Sequence, residues 1–105
     1  MPAAIHTLTH ETGHFLGLLH PWGWNEIGSN CGDDGINDTP PTKGSNGTCN
    51  LSQNLCSGLE NVQNFMDYST CSNMFTQGQA ISMQNAAASA TAYRSSLSSN
   101  GNLIA

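Results

Sequence analysis

His10-Glu11-Thr12-Gly13-His14-Phe15-Leu16-Gly17-Leu18-Leu19-His20 is the stretch on which the reading of this chain turns. Residues four apart on an α-helix share a face one turn apart, so His10 and His14 project side by side. Two imidazoles so placed reach one zinc ion at the usual nitrogen–zinc distance of about 2.0–2.1 Å. Glu11 stands beside that pair but too far round the helix to act as a ligand, which is where a general base for a zinc-activated water belongs. A continuing helix would carry His20 away along its axis. Gly17 accepts a backbone turn that other residues resist, so it ends the helix and lets His20 come back to the metal. Three histidines and one open position are the ligand set of a catalytic zinc site.

Outward from this motif, residues 3–17 are predicted helical, with Leu8 and Phe15 on a second face. His6 lies one turn before His10; because His10, His14 and His20 already complete a ligand set, it reads as a surface histidine, with a partner supporting the metal ligands as the alternative. Residues 21–64 hold three of the four prolines, most of the glycines and three of the four cysteines, and are expected to be irregular loop. Thr76 and Gln79 form a Thr-x-x-Gln capping box that opens a second helix over 76–97. Met83, Ala86, Ala90, Tyr93 and Leu97 follow at helical spacing and predict a core-facing stripe. The tail from Ser98 is small and polar and is expected to fray.

Composition narrows the class. The 105 residues form one small domain with a net charge of −5, which argues against nucleic acid and against an anionic membrane surface as partners. Leu, Ile, Val and Phe supply only 18 residues, so the core is thin and calls for disulfide or metal staples. Cys31, Cys49, Cys56 and Cys71 include no Cys-x-x-Cys pair, and in so lysine-poor a chain they read as two disulfides of a secreted protein. Spacing leaves three pairings open. Met1–His6 has neither the basic nor the apolar stretch of an export signal, so the chain reads as a mature or partial segment of an exported protein.

The zinc motif has the form of the metzincin signature, which is accompanied by a Met-containing turn downstream. Asn64-Phe65-Met66-Asp67-Tyr68-Ser69 is a matching turn. By this resemblance Met66 forms an apolar floor beneath the ligands, and Tyr68 stands near the metal to hydrogen-bond the oxyanion of the tetrahedral intermediate. Within the metzincins the chain is most similar to the pappalysins, the ulilysin-like and cytophagalysin-like secreted proteases. The carrying residues are the zinc motif, Gly32-Asp33-Asp34-Gly35-Ile36-Asn37-Asp38-Thr39-Pro40-Pro41, Met66-Asp67-Tyr68-Ser69 and Cys71-Ser72-Asn73-Met74-Phe75-Thr76-Gln77-Gly78-Gln79, in the family's order.

The resemblance implies a metalloendopeptidase in which Glu11 takes the proton of the zinc-activated water and passes it to the leaving amine. It implies crossed disulfides, Cys31–Cys56 and Cys49–Cys71, and a calcium site at Asp33, Asp34, Asp38 and Thr39. The alternative for that loop is an Asp-rich turn holding no ion. The fold it implies is mainly α with long irregular loops: a zinc-binding helix and turn (1–20), a stapled loop region (21–64), a Met-turn (65–75) and a C-terminal helix (76–97). This corresponds to the active-site helix and lower subdomain of a metzincin. The family's N-terminal β-sheet subdomain, which binds the peptide or protein substrate by strand addition, would precede residue 1 and is expected to be needed for efficient cleavage. Leu8 and Phe15 would face it. Thr70-Cys71-Ser72 lacks the acidic residues found in relatives that cleave beside basic side chains, so that preference does not carry over. Two other readings stand beside the endopeptidase: a catalytically inactive zinc- and calcium-binding fragment of a longer secreted metalloprotease, and a zinc hydrolase acting on a non-peptide bond.

Overall fold

The computed structural model describes residues 3–28 and 30–99, with the side chains of residues 6–28 and 30–90. Two helices bracket a long loop region: α1, Ala3–Phe15, and α2, Gln77–Ser99. Among the described residues, β-structure is confined to isolated bridges, His20 with Gly23, Gly32 with Thr42, Asn46 with Tyr68 and Asn64 with Met74. Among the same residues, no helix is long and apolar enough to cross a membrane.

Helix α1 stops two residues before the expected Gly17, and the reason is a Schellman turn. Gly17, at φ +90°, donates to His14 O at 2.9 Å and Leu18 donates to Gly13 O at 2.9 Å, the two bonds that close this motif. Leu18 is buried beneath the turn, and the chain reverses into His20. His20-Pro21-Trp22-Gly23 is a further tight turn, with Gly23 donating to His20 O at 2.8 Å and Pro21 in the position where its fixed φ fits.

The loops owe their order to polar and covalent ties. Cys31 is bonded to Cys56 and Cys49 to Cys71, the pairing implied by resemblance. Buried Glu60 collects hydrogen bonds from Thr42 Oγ1 (2.5 Å), Gln53 Nε2 (2.9 Å), Lys43 N (3.2 Å) and Leu55 N. Burial alone would raise its carboxyl, but these four donors outweigh it and hold the group below the ordinary glutamate range. Among the described residues, the buried hydrophobic side chains are few, Leu18, Trp22, Val62, Phe65 and Met66. More of the interior is polar than apolar, the arrangement expected of a core-poor chain that relies on staples.

Helix α2 begins as its capping box predicts. Gln79 N donates to Thr76 Oγ1 (3.1 Å) and Thr76 N donates to Gln79 Oε1 (2.9 Å). The core-facing stripe is not found: Met83 and Ala86 are half-exposed and Ala90 is exposed. The described side chains of α2 beyond its first turn, residues 81–90, are half-exposed or exposed. Tyr93 and Leu97 lie outside the described side chains. The tail expected to fray from Ser98 is helical at Ser98 and Ser99, and residues 100–105 lie outside the described residues.

Candidate metal centre

His10 is buried on α1, and its Nδ1 lies 2.6 Å from Phe65 O. A carbonyl only accepts, so Nδ1 carries the proton and Nε2 presents a lone pair. That Nε2 is buried with no hydrogen-bond partner. His14 is arranged the same way, Nδ1 donating to Leu18 O at 2.8 Å across the turn that ends the helix. His14 Nε2 lies 3.1 Å from His20 Nε2. Among the described residues, His10, His14 and His20 are the one group of three or more His, Cys, Asp or Glu side chains whose ligand atoms lie within 4.8 Å of one another. A buried, unpartnered imidazole lone pair facing two further imidazoles fits a tetrahedral cation with one open position. The two carbonyl acceptors supply the outer hydrogen bonds that fix tautomer and ring orientation in such sites.

His10 and His20 are also biased toward the neutral, ligating form. Burial lowers the His10 pKa, the bond to Phe65 O partly opposes this, and the neighbouring His14 lowers it further. For His20, burial first, then His14 and His10, pushes the pKa down to about 4.

Met66 is fully buried under α1, where a side chain on Gly13 would come within 2.4 Å of its sulfur. The Tyr68 ring stacks on His10, with centroids 5.3 Å apart, and lies 4.9 Å from the His20 ring. Glu11 is exposed at the rim of a cleft of about 240 Å³ that it shares with His6, His10, Asp67, Tyr68 and Ser72. Glu11, Tyr68 and the three histidines are therefore brought to one place. His6 is half-buried rather than on the surface: Ser72 Oγ sits 3.1 Å from its Nδ1, and its ring meets the edge of Phe65.

The proposed calcium residues are not gathered in the same way. Asp34 Oδ1 accepts from Ile36 N (3.0 Å) and from Thr39 Oγ1, and its Oδ2 is buried without a partner. Asp33 accepts from Gly35 N at 3.4 Å, and Asp38 turns away to accept from Gly78 N at 2.8 Å, at the start of α2.

Comparison with known proteins completes the picture. A profile of the family described as pregnancy-associated plasma protein-A matches residues 2–88. The chain belongs to the pappalysin family of metzincin peptidases. Pappalysin relatives named extracellular metalloprotease include one from Arthroderma otae, 46% identical over 78 residues, covering 70% of this chain and 28% of that protein. Another, extracellular metalloprotease 1 of Coccidioides posadasii, is 36% identical over 83 residues, covering 75% of this chain and 29% of that protein. Among solved structures, mature mirolysin of Tannerella forsythia in complex with a cleaved peptide matches with a TM-score of 0.65 at 40% identity, covering 75% of this chain and 32% of that one. The chain thus spans about a third or less of the length of these pappalysins. Zinc is the metal of the metzincins, and the histidine triad matches it.

Several residues at the site have roles that the sequence motifs do not assign. Trp22 stacks face to face on His20, with centroids 4.6 Å apart and planes 3° apart. Asn64 is fully buried, with Met66 N donating to its Oδ1 at 2.9 Å and its amide paired with Gln79 at 2.6 and 3.1 Å. Asp67 accepts from Ser45 N at 2.9 Å, while its Oδ2 is buried and unpartnered; burial raises its pKa to about 6 against the opposing backbone hydrogen bonds. Only position-specific knowledge of the turn would single these out, since Trp, Asn and Asp each have many bland uses in loops.

Proposed function

We propose that this chain carries the catalytic metal centre of a secreted zinc endopeptidase. The observation that supports it most directly is the buried, unpartnered Nε2 of His10 facing the Nε2 atoms of His14 and His20. Zinc held by these three nitrogens supplies Lewis acidity, polarising a peptide carbonyl and making water a stronger acid. Glu11, at the open rim beside His10, accepts the proton of the attacking water and returns it to the leaving amine nitrogen. The Tyr68 hydroxyl, carried on a ring stacked against His10, donates to the oxygen that becomes negative as the carbonyl is attacked. Met66 fills the space beneath the helix so that the ligands cannot sink. Strand addition of the peptide or protein substrate belongs to the sheet subdomain of the longer protein.

Support for calcium is narrower. Asp34 offers one uncommitted buried oxygen and already contacts Thr39 Oγ1, but Asp38 is engaged with Gly78 and would have to leave it to help build the six to eight ligands calcium prefers. A rise in melting temperature with added calcium, absent in Asp34→Asn, is the expected result if the loop takes the ion.

The test of the main reading pairs zinc analysis with cleavage of a quenched peptide library, on this chain with and without Glu11→Ala. One zinc per chain is expected, and Glu11-dependent cleavage beside it would show that this chain suffices for catalysis. One zinc without cleavage assigns the chain to the alternative, a metal-binding portion whose activity needs the longer protein. No zinc overturns both.

A further inference from the structure

His10 and His14 are each oriented by a hydrogen bond to a backbone carbonyl, at 2.6 and 2.8 Å. The third imidazole is supported by a ring face. Trp22 lies nearly parallel to His20, 3° between planes and 4.6 Å between centroids, and it is 2% exposed. The Tyr68 ring lies 5.4 Å from the same indole. The indole has little freedom to move. A side chain on Gly44 would come within 2.6 Å of its Cε3, and one on Gly32 would come within 2.0 Å of the Trp22 backbone carbonyl oxygen. The tight turn from His20 to Gly23 fixes its backbone relative to the ligand it supports.

Resting on the zinc-centre reading, we propose that Trp22 is the positioning residue of the third metal ligand, setting the plane of the His20 imidazole by stacking and bracing Tyr68 with the same ring. His20 enters the site from a turn rather than from the helix, so the helix does not dictate its ring plane. A rigid, buried aromatic face fixes that plane at little entropic expense. Offset-stacked rings attract beyond the area they bury, and neutral imidazole, the ligating form, stacks without desolvating a charge. Loss of an orienting partner of a metal ligand typically weakens binding 10–100-fold.

The test measures metal affinity and ligand field rather than turnover. Zinc affinity is read by competition with a chromogenic chelator, and the cobalt(II)-substituted chain gives a visible d–d spectrum sensitive to ligand geometry. Trp22→Leu keeps apolar bulk and removes the ring; it is expected to lower zinc affinity about 10–100-fold and to alter the cobalt bands. Trp22→Phe keeps a ring face and is expected to stay near wild type in both. In a His20→Ala background, Trp22→Leu is expected to add no further loss. Unchanged affinity and spectrum in Trp22→Leu, an equal loss in Trp22→Phe, or an equal further loss in the His20→Ala background each overturns the proposal. If Trp22→Leu does not fold, the Trp24→Phe chain serves, with Trp22 its only tryptophan. Its emission should change on zinc addition and saturate at one equivalent, and a silent emission with zinc bound overturns the proposal. A wild-type chain that binds no zinc overturns the metal reading itself, an outcome distinct from a bound zinc indifferent to Trp22.

Discussion

Gly13 lies inside the zinc motif yet ligates nothing, and its task is to be small. The Met66 sulfur occupies the space its Cβ would need, 2.4 Å away, with Met66 fully buried. Replacing an exposed helix glycine by alanine stabilises by up to about 1 kcal/mol, whereas overpacking a closed core costs about 1–3 kcal/mol. Gly13→Ala is therefore expected to be net destabilising in urea unfolding, and to weaken zinc binding because Met66 must move beneath the ligands. Asp67 gives a pH prediction. Its folded pKa of about 6 exceeds the ordinary 3.8, so the folded state binds more protons between these values and loses stability as pH rises through them. Asp67→Asn removes that slope. The stability of Asp67→Asn relative to wild type should rise from pH 4 to pH 7 and level off above; a constant difference would show that the carboxyl is not perturbed.

At the scale of elements, the capping box of α2 also serves the Met-turn. Gln79 closes the box with Thr76 and pairs its amide with Asn64, which holds Met66 N. Gln79→Ala removes a cap and leaves buried amide groups unpaired, so a loss of about 2–3 kcal/mol is expected. Thr76→Ala, which breaks only the cap, should lose about 1 kcal/mol. Denaturant melts of the two variants side by side check the ranking. The box itself was legible, because Thr-x-x-Gln is a local pattern with a local cause. The zinc helix and the return of His20 were legible for the same reason: spacing, a glycine and helix geometry suffice. The stripe from Met83 to Ala90 misled because periodicity shows which face would be buried, not that a partner exists to bury it. Asn64, Trp22 and Asp67 were not legible, since their roles arise from contacts between distant segments.

Over the whole molecule, stability rests on cross-links more than on apolar burial. The two disulfides span 25 and 22 residues, and each removes about 3 kcal/mol of loop-closure entropy from the unfolded chain. Against a typical domain stability of about 5–15 kcal/mol, reducing both is expected to unfold the chain at room temperature, as near-ultraviolet circular dichroism would show. Bound zinc should act in the same direction: a ligand that binds only the folded chain adds about 2.7 kcal/mol when present at 100 times its dissociation constant. A chelator should therefore lower the melting temperature. Glu60, whose pKa is held low, works at the acid end. Its contribution is complete above the ordinary glutamate value and disappears as pH falls through the folded value. Glu60→Gln should accordingly show a shallower acid limb than wild type.

The support of His10 by Phe65 O, 55 residues along the chain, has a bearing on timing. His14 takes its acceptor from the helix's own closing turn, so two imidazoles and that local bond can form early, within microseconds for a single helix. The lone pair of His10 is aimed only after the Met-turn arrives from the far side of the sequence. A nascent chain should therefore hold zinc loosely at first and tightly at the end, and the moment a metal-indicator dye loses its zinc to the protein would serve as a clock for the last long-range closure.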